Sequence, residues 1–240
     1  MNQDSFNDSY NSISAFLGGF QNIESNHFSG CLIETTFSVR NYCDSFFELL
    51  NIPFSDALNN AVPSRQAEFL AGRACAHFAL SKLGMPVKEI PVGKNRCPVW
   101  PKGVQASITH ASNRAICAAS TTSTGLGIDY ETIISDKTAE EIKHNIVSNS
   151  EVRLLSESGF PLEQWLIIAF SVKESLFKAL YPKVGKYFDF LDVEITSLSP
   201  QQQKLELRIL QDLSSRVLSG STYTATYQPY QGGILSIVEY

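Results

Sequence analysis

The sequence predicts an α+β fold, and three observations carry that prediction. Two long helical stretches, from about Arg65 to Leu83 and from about Leu162 to Pro182, each stand among short runs of alternating and β-branched residues. A small polar stretch, Thr121 to Gly125, separates them as a hinge would. Each side of the hinge therefore holds one long helix and several strands, a similarity of layout without a repeat in the sequence itself. A chain of 240 residues, 43% hydrophobic and 18% charged, has the size and balance for one large or two small globular domains.

The elements follow in order. Residues 1–26 are rich in Ser, Asn and Gln, with an apolar break at Ile13 to Phe20, and read as a polar N-terminal extension, loosely ordered or docked. Residues 27–120 form the N-terminal half. A first strand lies between Phe28 and Val39, and Pro63-Ser64 opens the long helix, which Gly84 and Pro86 stop. Pro91 to Pro101 reads as loop, and Ala106–His110 and Ala115–Ala119 as strands joined by a Ser-Asn turn. Residues 121–240 form the C-terminal half. A short buried strand enters Asp129, and helices follow near Ala139–Ile146, Glu151–Ser156 and from Leu162 to Pro182. Val193–Ile195, Leu205–Ile209, Tyr223–Tyr227 and Leu235–Val238 read as antiparallel strands, with Gly232-Gly233 as the turn before the last.

Bulk properties exclude several function classes. The net charge of −5 comes without a basic stripe, which argues against nucleic acid as a partner. The five cysteines, Cys31, Cys43, Cys75, Cys97 and Cys117, form no C-x-x-C pair, so neither a disulfide framework nor a zinc site is indicated, and a cytoplasmic protein is expected. The N-terminus carries Asp4 and Asp8 and does not read as a secretory signal, and no run is long enough to span a membrane. Gly125-x-Gly127 lacks the third glycine of a dinucleotide fingerprint, and no phosphate-loop, zinc-protease or nucleophile-elbow motif is present.

Two segments concentrate acidic chemistry. In Gly127-Ile128-Asp129-Tyr130-Glu131 the two carboxylates are two residues apart, so a strand puts them on one face with Tyr130 on the other. Adjacent carboxylates repel unless a cation neutralises them or one holds a proton. In Phe170 to Lys178, Glu174 and Lys178 are four apart and share a helix face. By themselves they are either a plain helix pair and a strand edge, or three carboxylates and a lysine able to form a hard-metal site beside a phosphate.

Two upstream segments concentrate basic and hydroxyl groups. Arg65 stands in the first turn of its helix, against the helix dipole, which makes sense where it reaches for an anion. Arg73 is two turns further on; the pair is alternatively a solvated face with Glu68 as local partner. From Arg96, a Pro-flanked Trp100 loop leads into a strand that carries Ser107, Thr109 and His110, whose hydroxyls and ring N–H suit phosphate oxygens. A packed Trp loop and a structural histidine is the other reading of that segment.

Taken in order, R-Q-A-E-F-L-A-G-R, R-C-P-V-W-P-K-G-V-Q-A-S-I-T-H, G-I-D-Y-E and F-S-V-K-E-S-L-F-K-A-L resemble the 4′-phosphopantetheinyl transferase superfamily, over about Ala61 to Pro182. The similarity is to the larger type that serves siderophore and other nonribosomal peptide or polyketide synthetases. The resemblance implies two similar α/β halves fused in one monomeric chain, with the active site in the cleft between them. It implies transfer of the phosphopantetheine arm of coenzyme A to a serine of an apo acyl, aryl or peptidyl carrier protein, releasing adenosine 3′,5′-bisphosphate. Fatty-acid carrier protein as acceptor, or a catalytically silent CoA- or carrier-binding module, are the alternatives.

Residue roles follow from the same resemblance. Asp129, Glu131 and Glu174 match ligands of Mg²⁺, or of Mn²⁺ in its place. Arg65, Arg73, Arg96, Ser107, Thr109 and His110 match groups on CoA phosphates, and Lys178 a lysine near the pyrophosphate. The base that deprotonates the carrier serine is Glu174, directly or through metal-bound water, or Glu151, whose match is looser. Ala106-Ser107 stands where the family often has Gly-Ser, and alanine lacks glycine's access to positive φ. Residues 1–26 have no clear counterpart.

Overall fold

A computed structural model describes residues 13–240. The chain divides into two compact units, residues 1–122 and 123–240. Mixed α/β character is evident in both, each with its own antiparallel sheet.

The first unit holds β1 (Gln21–Asn22), β2 (Cys31–Thr36), β3 (Gln105–Ala111) and β4 (Arg114–Ser120) in the order β1-β2-β4-β3, all antiparallel. Ser112 and Asn113 turn the β3–β4 hairpin with φ of 49° and 61°, the left-handed pair that a two-residue hairpin loop requires. A short helix, α1 (Ser45–Leu49), precedes α2 (Pro63–Lys82). Pro63 occupies the first turn of α2, where a missing N–H breaks no helical bond. Through Ala67, Leu70, Ala71, Ala74, Cys75, Ala79 and Leu80, α2 buries a wide face of mostly small residues, which lets it lie close on the sheet. The Cys75 thiol donates to the Ile33 carbonyl at 3.1 Å. Full burial of one leucine such as Leu70 is worth about 1.5–3 kcal/mol.

Phe16 and Leu17 are buried in this unit's core with Phe37, Phe46, Phe47 and Leu70, and β1 pairs with β2. Loose order or docking was expected of residues 1–26. Its described part is docked, because the apolar break at Ile13–Phe20 supplies core side chains; residues 1–12 lie outside the described residues.

The second unit holds β5 (Leu126–Thr132), β6 (Val193–Ser199), β7 (Lys204–Ile209), β8 (Thr222–Tyr230) and β9 (Gly233–Glu239) in the order β5-β9-β8-β7-β6, all antiparallel. Helices α3 (Asp136–Ile146), α4 (Asn149–Ser156) and α5 (Leu162–Val184) follow β5 in the chain. Ser135 caps α3, and Ser148 with Glu151 forms a reciprocal capping box on α4. The α5 helix packs on β5 and β9 and buries Leu166, Ala169, Val172, Leu176 and Leu180. It runs two residues past Pro182, since proline forfeits only its own N–H near the end. Gly185, at φ 70°, then ends it in the left-handed conformation. The β8–β9 turn falls on Gln231-Gly232, one residue before the Gly232-Gly233 expected, and Gly233 is already paired in β9.

Contact between α5 and β5 is close enough to exclude a side chain. A Cβ on Gly127 would lie 1.9 Å from the Ser175 carbonyl oxygen and 2.6 Å from the Ala179 nitrogen. Ser236 on β9 bonds Ser171 and Ser175 at 2.8 and 2.7 Å, so the polar groups in this tight seam satisfy one another. Among the described residues, no helix is long and apolar enough to cross a membrane.

Candidate active site

In the first unit, α2 and β3 bring Arg65 and His110 together although they are 45 residues apart in sequence. Arg65 Nη1 lies 2.8 Å from His110 Nε2. A guanidinium can only donate, so Nε2 accepts and the ring proton falls to Nδ1. Nδ1 faces Glu68 Oε2 at 3.6 Å, and the same carboxylate oxygen accepts from Arg65 at 3.3 Å. These three side chains, with Arg73, Arg96 and Ile108, line a cavity of about 150 Å³.

Arg73 is the unusual member. It is 3% exposed, stacks over the Phe69 ring at 4.9 Å, and its Nη1 makes no hydrogen bond. Burial pulls its proton affinity down, to about 10. A buried guanidinium without a counter-ion is costly in isolation and suits a site that receives an anion. Arg96 reaches the same cavity from a turn in which Asn95 and Arg96 both take positive φ, 54° and 64°. It also lines a neighbouring cavity of about 390 Å³ with Arg65, Phe69 and Val92.

Ser107 and Thr109 are buried on the face of β3 opposite Ile108 and His110, as a two-residue period dictates, and do not line this cavity. Ala106 sits in regular β3 without positive φ, so nothing there demands a glycine.

In the second unit, β5 and α5 present the acidic group. Asp129 is 3% exposed and Tyr130 points the other way, its hydroxyl donating to the Gln231 carbonyl. Lys178 reaches across from α5: its ammonium donates to Asp129 Oδ1 at 2.7 Å and to the Ile128 carbonyl at 3.0 Å. Glu131 is pushed up to about 7, first by burial and then by the Asp129 charge, with Lys178 pulling it back and Glu174 adding to the rise. Glu174 is also raised, chiefly by burial; Lys178 opposes the rise and Asp129 reinforces it. Three carboxylates thus sense one another's charge and share one ammonium.

Among the described residues no group of three or more acidic, histidine or cysteine side chains stands gathered closely enough to hold a metal ion. One oxygen of Asp129 is instead held by the ammonium of Lys178. The donor set nevertheless fits a hard divalent ion, being all oxygen and in excess of its positive charge.

Glu151 is built into the fold. It is 1% exposed, its Oε2 accepts from the Ser148 N–H at 2.8 Å, and its Oε1 accepts from the Ile195 N–H at 2.9 Å and is ion-paired with Lys173 at 2.7 Å. With both oxygens engaged and no exposure, the carboxylate has a structural role and no path to a hydroxyl in solvent.

Two residues of these constellations were not singled out from sequence. The sequence marks Glu68 only as a local partner of Arg65, since its link to His110 crosses from helix to strand. Lys173 had a visible signal: it falls on the inner stripe Leu166-Ala169-Lys173-Leu176-Leu180 of α5, where a charge must find buried partners.

Comparison with known proteins gives this geometry its context. Residues 54–120 match the 4′-phosphopantetheinyl transferase N-terminal domain, and residues 125–231 match the 4′-phosphopantetheinyl transferase superfamily. Relatives include enterobactin synthase component D of Escherichia coli (strain K12), 38% identical over 167 residues, which is 69% of this chain and 77% of that protein. Enterobactin synthase component D of Salmonella typhi is 37% identical over 161 residues, 67% of each chain. The 4′-phosphopantetheinyl transferase Svp of Streptomyces mobaraensis is 34% identical over 154 residues, 62% of this chain and 61% of that one. With a basic cavity in one matched segment and an acidic group in the other, the chain belongs to the 4′-phosphopantetheinyl transferase superfamily, on the side of the enterobactin-synthase type.

Proposed function

We propose that this protein transfers the 4′-phosphopantetheine arm of coenzyme A to a serine hydroxyl of an apo carrier protein, with adenosine 3′,5′-bisphosphate as the leaving group. Carriers of siderophore or other nonribosomal peptide and polyketide synthesis are the proposed acceptors, in keeping with the relatives' names. The observation that carries the reading is the Asp129–Lys178 contact at 2.7 Å, beside two carboxylates whose proton affinities are raised. Two similar halves fused in a cytoplasmic monomer complete the proposal.

The residues divide the work by charge. Arg65, Arg73, Arg96 and His110 receive the phosphates of CoA; the buried Arg73 guanidinium, lacking a hydrogen bond on Nη1, supports this assignment. Ser107 and Thr109, buried on the other face of β3, are left out of this contact. Asp129, Glu131 and Glu174 are the residues that would hold Mg²⁺ (or Mn²⁺). When bound, such an ion supplies positive charge against the pyrophosphate. Lys178, a donor beside Asp129, would give a hydrogen bond to the departing bisphosphate. Glu174, with its raised proton affinity, accepts the proton of the serine hydroxyl as the oxygen attacks the β-phosphorus of CoA. Glu151, wholly engaged in the fold, is left out of this step.

The test is intact mass measurement of a panel of apo carriers incubated with the protein, CoA and Mg²⁺. Addition of one phosphopantetheine arm, abolished by EDTA and by Asp129→Ala or Glu174→Ala, is expected, and the carrier modified fastest identifies the pathway. Transfer that persists in both variants would overturn the residue roles. CoA bound with no carrier modified would make the protein a silent binding module.

A further inference from the structure

Lys173 is charged, 2% exposed and unused by the mechanism above. Its ammonium donates to the carbonyls of Ile146 at 2.9 Å, Phe190 at 3.0 Å and Val193 at 2.8 Å, and pairs with Glu151 Oε1 at 2.7 Å. These partners come from three places: the end of α3, the first turn of α4, and the continuous stretch Phe190–Val193 that enters β6. Glu151 extends the junction to the Ser148 and Ile195 N–H groups. One side chain of α5 therefore ties together the end of α3, the start of α4 and the entry to β6.

Glu174 is the next residue, about 100° further round the helix. Lys178 follows one turn later and reaches β5. On the sheet side, Ser171 and Ser175 are fixed to Ser236, and Gly127 leaves no gap between β5 and α5. The helix is held from both flanks of Glu174: by Lys178 and the serine seam against the sheet, and by the Lys173 ammonium on the other flank. A roll of α5 would move Glu174 and Lys178 together relative to Asp129 and Glu131.

We propose that Lys173 is a positioning residue: by gathering three carbonyls and Glu151, it sets the roll of α5 and so the registry of Glu174 and Lys178 with Asp129 and Glu131. The inference rests on the transfer reading for its consequence in catalysis, but its structural part does not. Misplacement of reacting groups by about 1 Å can cost about 100-fold in rate, and the Lys173 clamp is the tie whose loss would permit a shift of that order.

Lys173→Met keeps most of the aliphatic stem and removes the ammonium. The experiment compares it with wild type at a temperature where circular dichroism shows both fully folded. Expected are hydrogen exchange at least tenfold faster for the α5 amides of residues 171–178, Mg²⁺ affinity in calorimetry lowered severalfold, and kcat lowered by about tenfold or more with the KM for CoA within about twofold. Where Lys173→Met does not fold, Glu151→Gln serves. It leaves the ammonium its three carbonyls, and the same changes are expected at smaller size. A folded variant with a lower melting temperature but unchanged α5 exchange, Mg²⁺ affinity and kcat would overturn the proposal and leave Lys173 a stabilising group only. Wild-type protein inactive on every carrier would sink the transfer reading instead, and the exchange measurement would still decide the role of Lys173.

Discussion

Lys178 Nζ stands 2.7 Å from Asp129 Oδ1 and is the ion-pair partner of a carboxylate that is almost wholly buried. This ammonium supplies the positive charge that neutralises the buried carboxylate. Lys178→Met leaves the Asp129 charge buried without it. Breaking a fully buried pair costs about 3–5 kcal/mol, and the loss here should be smaller because the Lys178 side chain is 27% exposed. In urea denaturation the variant is expected to be destabilised in EDTA and to recover part of the loss in Mg²⁺, since a ligand that binds only the folded state stabilises it by mass action. Equal loss with and without Mg²⁺ would show that Lys178 and the ion do not compete for Asp129.

Gly127→Ala tests the seam that places α5 on β5. The new Cβ would meet backbone atoms, the Ser175 carbonyl and the Ala179 nitrogen, and no rotamer relieves a backbone clash. Overpacking of this kind typically costs about 1–3 kcal/mol, occasionally more, and here the upper end or beyond is expected. Thermal melting should fall accordingly, and any folded fraction should lose transfer activity because α5 carries Glu174 and Lys178. A variant with wild-type melting and activity would mean that α5 stands off β5 in solution.

Much of this arrangement was legible in the chain. The two-residue period placed Asp129 and Glu131 on one face of a strand with Tyr130 behind them, and the structure has that strand as β5. The helical period placed Glu174 and Lys178 together on α5. Both relations are local and follow from backbone geometry alone. The rest depends on which elements meet. The Arg65–His110 contact joins a helix to a strand, which no local pattern shows, although the two-residue period already turns Ser107 and Thr109 away from His110. Glu151 is a candidate base by loose resemblance; its capping of α4 within Ser148-Asn149-Ser150-Glu151 is local, but its partners Ile195 and Lys173 cannot be read from sequence. Polar tracts mislead in the same way: Phe16 and Leu17 are core residues inside a segment whose composition suggests an extension.

The Glu131 carboxyl gives a pH dependence with a definite sign. Its usual value of 4.5 is raised to about 7 in the fold, by burial first and the Asp129 charge second. Between those values the folded chain keeps a proton that the unfolded chain releases. This group's contribution to stability is therefore fully present below about 4.5 and is lost as pH rises through about 7. A divalent ion needs the ionised carboxylate, so its affinity runs the opposite way. Calorimetric titration with Mg²⁺ should show binding that strengthens from pH 6 to pH 8 and releases protons near pH 7. In Glu131→Gln the binding should be weaker, with less of this slope. Binding independent of pH across that window would remove Glu131 from the ion's ligands.

Arg73 separates folding from binding. Its guanidinium is buried, Nη1 makes no hydrogen bond, and burial draws its proton affinity down to about 10, all of which makes the free protein less stable than an apolar side chain would. Arg73→Met keeps the bulk against Phe69 and removes the charge. The melting temperature of the free protein should hold or rise. Affinity for CoA, or for adenosine 3′,5′-bisphosphate as the phosphate-bearing fragment, should fall by at least about tenfold, since truncating a buried charge from its partner costs about 2–5 kcal/mol. Because the bisphosphate lacks the phosphopantetheine arm, equal losses for both ligands would place Arg73 on the nucleotide end. A loss for CoA alone would place it toward the pyrophosphate. Destabilisation with unchanged affinity would show instead that the guanidinium serves the core through its stacking on Phe69.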